Sequence, residues 1–289
     1  MATTNVGLRH ADKLLYPQDA ITKGDVLSYY LSVAGPLFQH LNGRPLTLVR
    51  YPDGIVGKSF FQKNPPSGAP AWLATWPIKG TRYVLLRDLH TLSYLVGQGA
   101  LELHTSPVRY PNAEQPDAAL VDLDPMPPFG FADAVRVAIL TLAALDALGL
   151  QARIKTSGAT GVHLHVPIRP GPSSHDLVLA MKGLGHELRR AAPDLITLER
   201  SIARRHGVYF DYGQNAAGHT LAAAYSLRAR PGAPVSCPLC REELPAVRPQ
   251  DFTLRTVPRR IALSGDPWAV QLESQDPSQL LRLAALGRS

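Results

Sequence analysis

The chain has 289 residues, 45% of them hydrophobic, enough to bury a sizeable core in one large domain or two lobes. Lys and Arg number 30 against 23 Asp and Glu, and the formal charge of +7 suits a polyanionic partner without demanding one. The two cysteines, Cys237 and Cys240, form a single C-x-x-C without the second pair of a structural zinc site, so they read as incidental thiols in a reducing compartment. Residues 1–13 hold no apolar core of a cleavable signal, and the most apolar stretch, residues 134–150, is broken by Arg136 and Asp146 in a helical pattern. The expectation is a soluble, cytoplasmic protein without a membrane partner. With no repeats or low-complexity tails, it should form one α/β unit.

In chain order, Thr22-Lys23-Gly24-Asp25 ahead of Val26 to Leu31 starts an N-terminal helical part. Arg44 to Gln62 reads as strands broken by turns at Pro52-Asp53-Gly54 and Gly57, and Lys63 to Pro70 as loop. Leu120 to Pro125 reads as a buried strand, Pro125 to Pro128 as a turn, and residues 131–148 as an amphipathic helix ended by Gly149. Lys155 to Pro167 reads as a strand, a glycine turn and a second strand, with a helix over residues 175–191 and then a strand-like run, Val208 to Tyr212. Pro231 to Pro249 is loop-rich and is expected to wrap the outside.

Three features carry chemistry. Asp122 and Asp124 stand two apart on a strand, hence on one face, where two ionised carboxylates repel unless a divalent cation lies between them. A strand running into a turn gives the same D-x-D with no metal. In Ser157-Gly158-Ala159-Thr160-Gly161-Val162-His163, the glycines permit close backbone approach, while Ser157, Thr160 and the turn amides can donate to an anion. A plain hairpin has that form too. Asp211 is a third carboxylate inside an apolar, aromatic run. Taken together, three acids, an anion-binding turn and a strand-borne His point to two-metal phosphoryl transfer.

D-x-D, then S-G-x-x-G-x-H, then a lone Asp followed by Tyr212-Gly213-Gln214-Asn215, resembles the archaeo-eukaryotic primase superfamily. Within it the chain resembles the polymerase domain of the bacterial end-joining ligase D. The likeness extends through Asp12 to Pro17, Thr22 to Asp25, Arg50 to Gly54, Phe60 to Asn64 and Tyr225 to Pro231. It implies an α/β (α+β) primase-like core of mixed sheets flanked by helices. One catalytic unit would span residues 1–289: DNA and 5′-phosphate contacts over about residues 1–115, a metal and nucleotide core over about 116–230, and a C-terminal wrap beyond.

Carried over residue by residue, the resemblance makes Asp122, Asp124 and Asp211 the ligands of two Mg²⁺ or Mn²⁺ ions. Ser157, Gly158, Thr160, Gly161 and His163 become triphosphate contacts with Arg228, and His104 lies near the nucleotide. Lys13 and Lys23 would bind a 5′-phosphate at the edge of a gap, although lysines read alone are solvated surface groups. Of Phe60 and Phe61, one ring must leave the core face and could stack on a template base, or both close a loop junction. Thr160 stands where the family more often has Lys, and His10 where it commonly has Asn; His165 reads as structural. The implied activity is template-dependent extension of 3′-ends at gaps or breaks with a preference for ribonucleotides. DNA and nucleoside triphosphates are the partners, with a DNA ligase and a Ku-type end-binding protein as further ones. A primase starting chains de novo, a non-catalytic DNA-end binding module and a metal-dependent nuclease are the alternatives.

Overall fold

Two sheets share one core in the computed structural model, which describes residues 8–270 and 272–288. The chain opens with a two-stranded ribbon, β1 (Leu14–Tyr16) and β2 (Ile21–Thr22). It then enters α1 (Lys23–Ser32) through a capping box: the Thr22 hydroxyl accepts from Asp25 N–H at 3.1 Å, and the Asp25 carboxylate accepts from Thr22 N–H at 2.8 Å. After α2 (Ala34–Leu41) come β3 (Pro45–Arg50), β4 (Phe60–Gln62), β5 (Thr75–Ile78) and β6 (Thr81–Leu85), then α3 (Leu89–Gly97) and β7 (Ala100–Thr105).

The second half holds β8 (Ala118–Pro125), α4 (Phe131–Ala147), β9 (Arg153–Thr156), β10 (Val162–Pro167), α5 (Ser174–Ala191), β11 (Ile196–Thr197) and β12 (Val208–Phe210). Short elements follow: β13 (Leu221–Ala222), β14 (Pro238–Leu239), α6 (Val257–Ser264), α7 (Ser278–Arg282) and α8 (Ala284–Gly287). The expected helix over residues 131–148, the glycine turn and the helix over 175–191 are all present.

One sheet runs β11-β12-β8-β10-β9-β14, and the other β13-β7-β3-β6-β5 with β4 added to β3. In β8 every residue except Asp124 is buried, as a central strand covered on both faces requires. α4 and α5 pack on this sheet, and Asn215 clamps its middle strand, its side-chain oxygen accepting from Leu120 N–H and its nitrogen donating to Leu120 O, each at 2.8 Å. The sheets are stitched by the chain around Ser226. Leu103 N–H donates to Ser226 Oγ at 2.8 Å, Tyr225 N–H to Ser236 O at 2.8 Å, and the buried Tyr30 hydroxyl accepts from Leu227 N–H at 3.1 Å.

Pro231 to Pro249 departs from its expected course. Instead of wrapping the outside, it turns in: Ala233, Val235, Ser236 and Cys237 are fully buried, and β14 adds the edge strand beside β9. Alternation of small and apolar residues with the prolines lets this segment fill the core, its backbone bonded to the chain at Tyr225 to Arg230 and Phe252 and, from Cys237 on, to β9. Cys237 is accordingly a buried, free thiol pushed up to about 12 by burial, and Cys240 is exposed and free. Among the described residues, no helix is long and apolar enough to cross a membrane.

Candidate active site

The ladder registers bring the key side chains into one row. Asp122 on β8 lies opposite His163 on β10, and His163 opposite Lys155 on β9. On the other side of β8, Tyr209 of β12 pairs with Asp124. Asp211, expected inside a strand-like run, comes one residue past the end of β12; its N–H donates to Asp122 O at 2.9 Å. There its carboxylate closes a short turn, accepting from Gly213 N–H at 2.9 Å, Gln214 Nε2 at 3.1 Å and the Tyr209 hydroxyl at 3.3 Å.

Burial and the neighbouring acids set the electrostatics. Desolvation first, then the Asp211 charge, pushes the Asp122 carboxyl up to about 7 against the opposing pull of Lys155 and Arg228. Asp124 is pushed to about 7 by desolvation and by Asp122 and Asp211, with Arg205 opposing. Asp122 Oδ1 is buried without a hydrogen bond, since His163 Nε2, 3.2 Å away, is not aligned to donate to it. Among the described residues, no three His, Cys, Asp or Glu side chains are already grouped as a metal shell, because Asp211 turns its oxygens into its own loop. The donor chemistry nevertheless fits a hard divalent cation: oxygens only, one of them buried and unpartnered, in carboxyls whose repulsion a cation relieves.

His163 is held from behind. Ser236 Oγ donates to Thr156 O at 2.8 Å, so it can only accept from Lys155 Nζ at 2.6 Å, and Lys155 also bonds His163 Nδ1. A donating Lys155 leaves Nδ1 as the acceptor and puts the ring proton on Nε2, while burial holds the Lys155 ammonium itself well below the usual lysine range. Burial, then the Lys155 and Arg228 charges, holds His163 well below the usual histidine range, so the ring is neutral.

The glycine turn is tighter than a simple phosphate cradle. Ala159 and Gly161 N–H both donate to Ser157 Oγ, at 3.1 and 3.0 Å, which makes Ser157 the brace of the turn and spends two of the amides expected to face an anion. Gly161 approaches β8 so closely that a Cβ would fall 2.3 Å from Leu123 O, and Gly158, at φ +73°, would drive one to 2.6 Å from Arg228 Cγ. Thr160 is exposed at the tip. Arg228 Nη1 donates to Ser157 O at 2.7 Å, and its Nε lies 3.1 Å from Glu102 Oε2.

Glu102 and Lys155 escaped the sequence reading. Burial raises the Glu102 carboxyl, but the His104 hydrogen bond at 2.8 Å, the Arg228 charge and Ala229 N–H outweigh it and hold the group at about 2. Glu102 thus fixes both Arg228 and His104. The available signal was the same-face spacing of Leu101-Glu102-Leu103-His104, parallel to that of the D-x-D; for Lys155 it was a lysine inside an otherwise closed strand. His165, by contrast, packs its ring on Trp268, 5.3 Å between centroids, in keeping with a structural role.

The DNA-side candidates cluster at the N-terminal edge. Lys13 Nζ pairs with Asp53 at 2.7 Å, while Lys23 is 8% exposed and donates to Arg9 O at 3.2 Å and Gly97 O at 3.3 Å. Burial, then the nearby Lys13 charge, lowers the Lys23 pKa, so neither lysine is a plain solvated one. His10 lies on the same turn, its carbonyl accepting from Lys13 N–H at 3.1 Å. Phe60 and Phe61 are both exposed, 45% and 57%, rather than one in and one out. β4 is hydrogen-bonded to β3 along one edge, and both rings remain solvent-facing. Phe61 meets His104 edge-on at 5.6 Å, linking the aromatics through Glu102 to Arg228.

Residues 22–268 match the family model for the LigD primase-polymerase domain. The chain is 34% identical over 276 residues to the multifunctional non-homologous end joining protein LigD of Pseudomonas aeruginosa, covering 93% of this chain and 33% of that protein. It is 34% identical over 260 residues to the bifunctional protein LigD of Bacillus subtilis, 89% of this chain and 42% of the relative. It therefore spans well under half the length of these relatives. The polymerase domain of Mycobacterium tuberculosis ligase D, solved in complex with DNA, superposes with a TM-score of 0.85 at 33% identity, covering 97% of this chain and 98% of that one. This chain belongs to the LigD primase-polymerase domain family, whose members are nucleotidyltransferases.

Proposed function

We propose that the protein extends 3′-ends of nucleic acid under template direction at short gaps and breaks, as part of end joining. The observation that carries this reading is that Asp122, Asp124 and Asp211 lie within one another's electrostatic reach, with Asp122 beside a neutral His163 and an arginine-backed glycine turn nearby. Three carboxylates gathered beside groups suited to phosphate are costly in any protein that only binds DNA.

Asp122, Asp124 and Asp211 would hold two divalent cations, Mn²⁺ or Mg²⁺. Bound there, such ions supply Lewis-acid activation of the 3′-hydroxyl and charge neutralisation at the triphosphate. His163, protonated at Nε2, donates to a phosphate oxygen without adding charge, and Lys155 keeps it in that tautomer. Arg228 presents a fixed guanidinium whose orientation Glu102 and Ser157 O determine. Thr160 and Gly158 border the same triphosphate. Lys13 and Lys23 receive the 5′-phosphate, and Phe60 and Phe61 stack on template bases. A DNA ligase and a Ku-type end binder are the partners this role calls for, in the cytoplasm of a bacterial cell.

Primer extension on a gapped duplex, with ribo- and deoxynucleotides compared in Mg²⁺ and Mn²⁺, tests the reading. Template-dependent addition that favours ribonucleotides is the expected result. Addition without a primer would move the assignment to a primase, and cleavage without addition to a nuclease.

A further inference from the structure

Beyond the Phe60–Phe61 edge, the surface carries an aromatic platform that the site itself does not use. Trp72 is 44% exposed although it stacks on His90, with ring centroids 3.9 Å apart and planes at 21°. Tyr94 braces it edge-on at 5.6 Å and 79°. His90, Tyr94 and Gln98 follow one another at intervals of four residues, so they line one face of α3 and its end. Gln98 O accepts from Arg50 Nε at 2.7 Å, and the Arg50 guanidinium lies 5.3 Å from the Phe60 ring centre. Phe61 and His104 continue the line to Glu102 and Arg228.

The result is a ridge of exposed rings, spaced by an arginine, that leads away from the site. An indole with one face packed on an imidazole and a phenol ring set at 79° to it is fixed before any ligand arrives, and it is still 44% exposed. A protein partner would call for a broad aliphatic surface, whereas Leu73, Leu92 and Leu95 are buried here and Leu89, at the start of α3, is 37% exposed. Flat rings alternating with cation suit nucleobases and phosphates.

We propose that Trp72, backed by His90 and Tyr94, is a stacking platform for unpaired bases of a nucleic-acid strand, extending the single-strand track beyond Phe60. This rests on the polymerase reading. The stretch from His90 to Gln98 covers about 12 Å at the helical rise, room for about three stacked bases. The platform therefore matters only for substrates with several unpaired template nucleotides.

The test uses the whole protein and gapped oligodeoxynucleotides with a 5′-phosphate, carrying one or six unpaired template nucleotides. Trp76 and Trp268 are buried, so intrinsic fluorescence changes on binding report chiefly on Trp72. The six-nucleotide gap should quench this signal, and a fully paired duplex should not. In Trp72→Ala, the ratio of affinities for the six- and one-nucleotide gaps should fall about tenfold, the scale of losing one stacked base, and Trp72→Phe should recover most of it. An unchanged ratio, or quenching by duplex equal to that by the long gap, overturns the proposal. Because binding and fluorescence need no turnover, a wild-type protein that fails to extend the one-nucleotide gap would refute the polymerase reading separately.

Discussion

Asp122 and His163 sit on the two central strands of a sheet, walled by buried residues, whereas Lys13, Lys23, Phe60 and Phe61 sit on a ribbon, a helix start and a strand paired along one edge only. In the first region, like charges are held together away from water, and among the described residues no hydrogen bond reaches Asp122 Oδ1. In the second, each charge already has a partner that DNA could replace: Asp53 for Lys13, and two backbone carbonyls for Lys23. A ligand at the acid end relieves a cost, while one at the basic end exchanges one interaction for another. Effects at the first should therefore be large and strict, and effects at the second moderate and dependent on salt.

The largest effect should come from the acids. Asp122→Ala, Asp124→Ala or Asp211→Ala is expected to lower nucleotide addition on the order of a thousandfold or more, the scale of several kcal/mol of metal-borne stabilisation. Affinity for gapped DNA, measured by anisotropy, should stay within about threefold, because the duplex contacts lie elsewhere. Robust extension by Asp124→Ala at saturating Mn²⁺ would break the contrast between the two ends.

The same repulsion should appear in stability without turnover. Asp122 and Asp124 have folded-state values near 7 against about 3.9 in the unfolded chain, so the folded state holds protons that the unfolded state releases. That contribution is fully present below about pH 4 and is lost as pH rises through 7. With divalent ions chelated, Asp124→Asn should gain in Tm relative to the wild type as pH goes from 5 to 8. Adding Mn²⁺ at pH 8 should reverse the order. A Tm difference that ignores pH would mean that the carboxylates do not strain each other.

How far these two regions could be read from sequence follows from the range of the forces that build them. The D-x-D alternation and the helix start at Thr22 to Asp25 are local, set by strand period and helix-end chemistry, and both are realised; the glycines at 158 and 161 were legible by type, although what forbids a side chain there is the approach of Arg228 and of Leu123 O. Glu102 and Lys155 were missed because their meaning comes from Arg228 and Ser236, which chain folding alone brings near. The inward course of residues 233–239 was hidden by a proline-rich composition that usually marks surface loop. Phe60 and Phe61 depart from the in-and-out rule because β4 is a three-residue strand added to β3, on which both rings stay exposed.

At the basic end, removal of the downstream 5′-phosphate should weaken binding to gapped DNA about tenfold, and the Lys13→Ala/Lys23→Ala double substitution should erase the difference. A phosphomonoester carries nearly two charges at neutral pH, and each charge-assisted contact contributes modestly once the lysines must leave Asp53 and the carbonyls. Raising the salt should shrink the preference. A double variant that still prefers the 5′-phosphate would place its receptor elsewhere.

The smallest effect should separate the two ends within one turn. Thr160 lies at the exposed tip of an otherwise buried loop, between Gly158 and Gly161, which cannot carry a side chain. Thr160→Lys therefore adds a charge without disturbing the braced backbone, since Ala159 and Gly161 N–H remain bound to Ser157 Oγ. An exposed ammonium near a triphosphate gains only what a screened surface pair gains, about 0.2–1 kcal/mol. The KM for nucleotide should fall by about two- to fivefold, kcat should barely change, and the benefit should fade as salt is raised. Steady-state kinetics at low and high salt measures this directly. A fall in kcat, or a change in affinity for gapped DNA at constant KM, would show that the tip faces the duplex, and the boundary between the rigid acid end and the exchangeable basic end would then run through the turn itself.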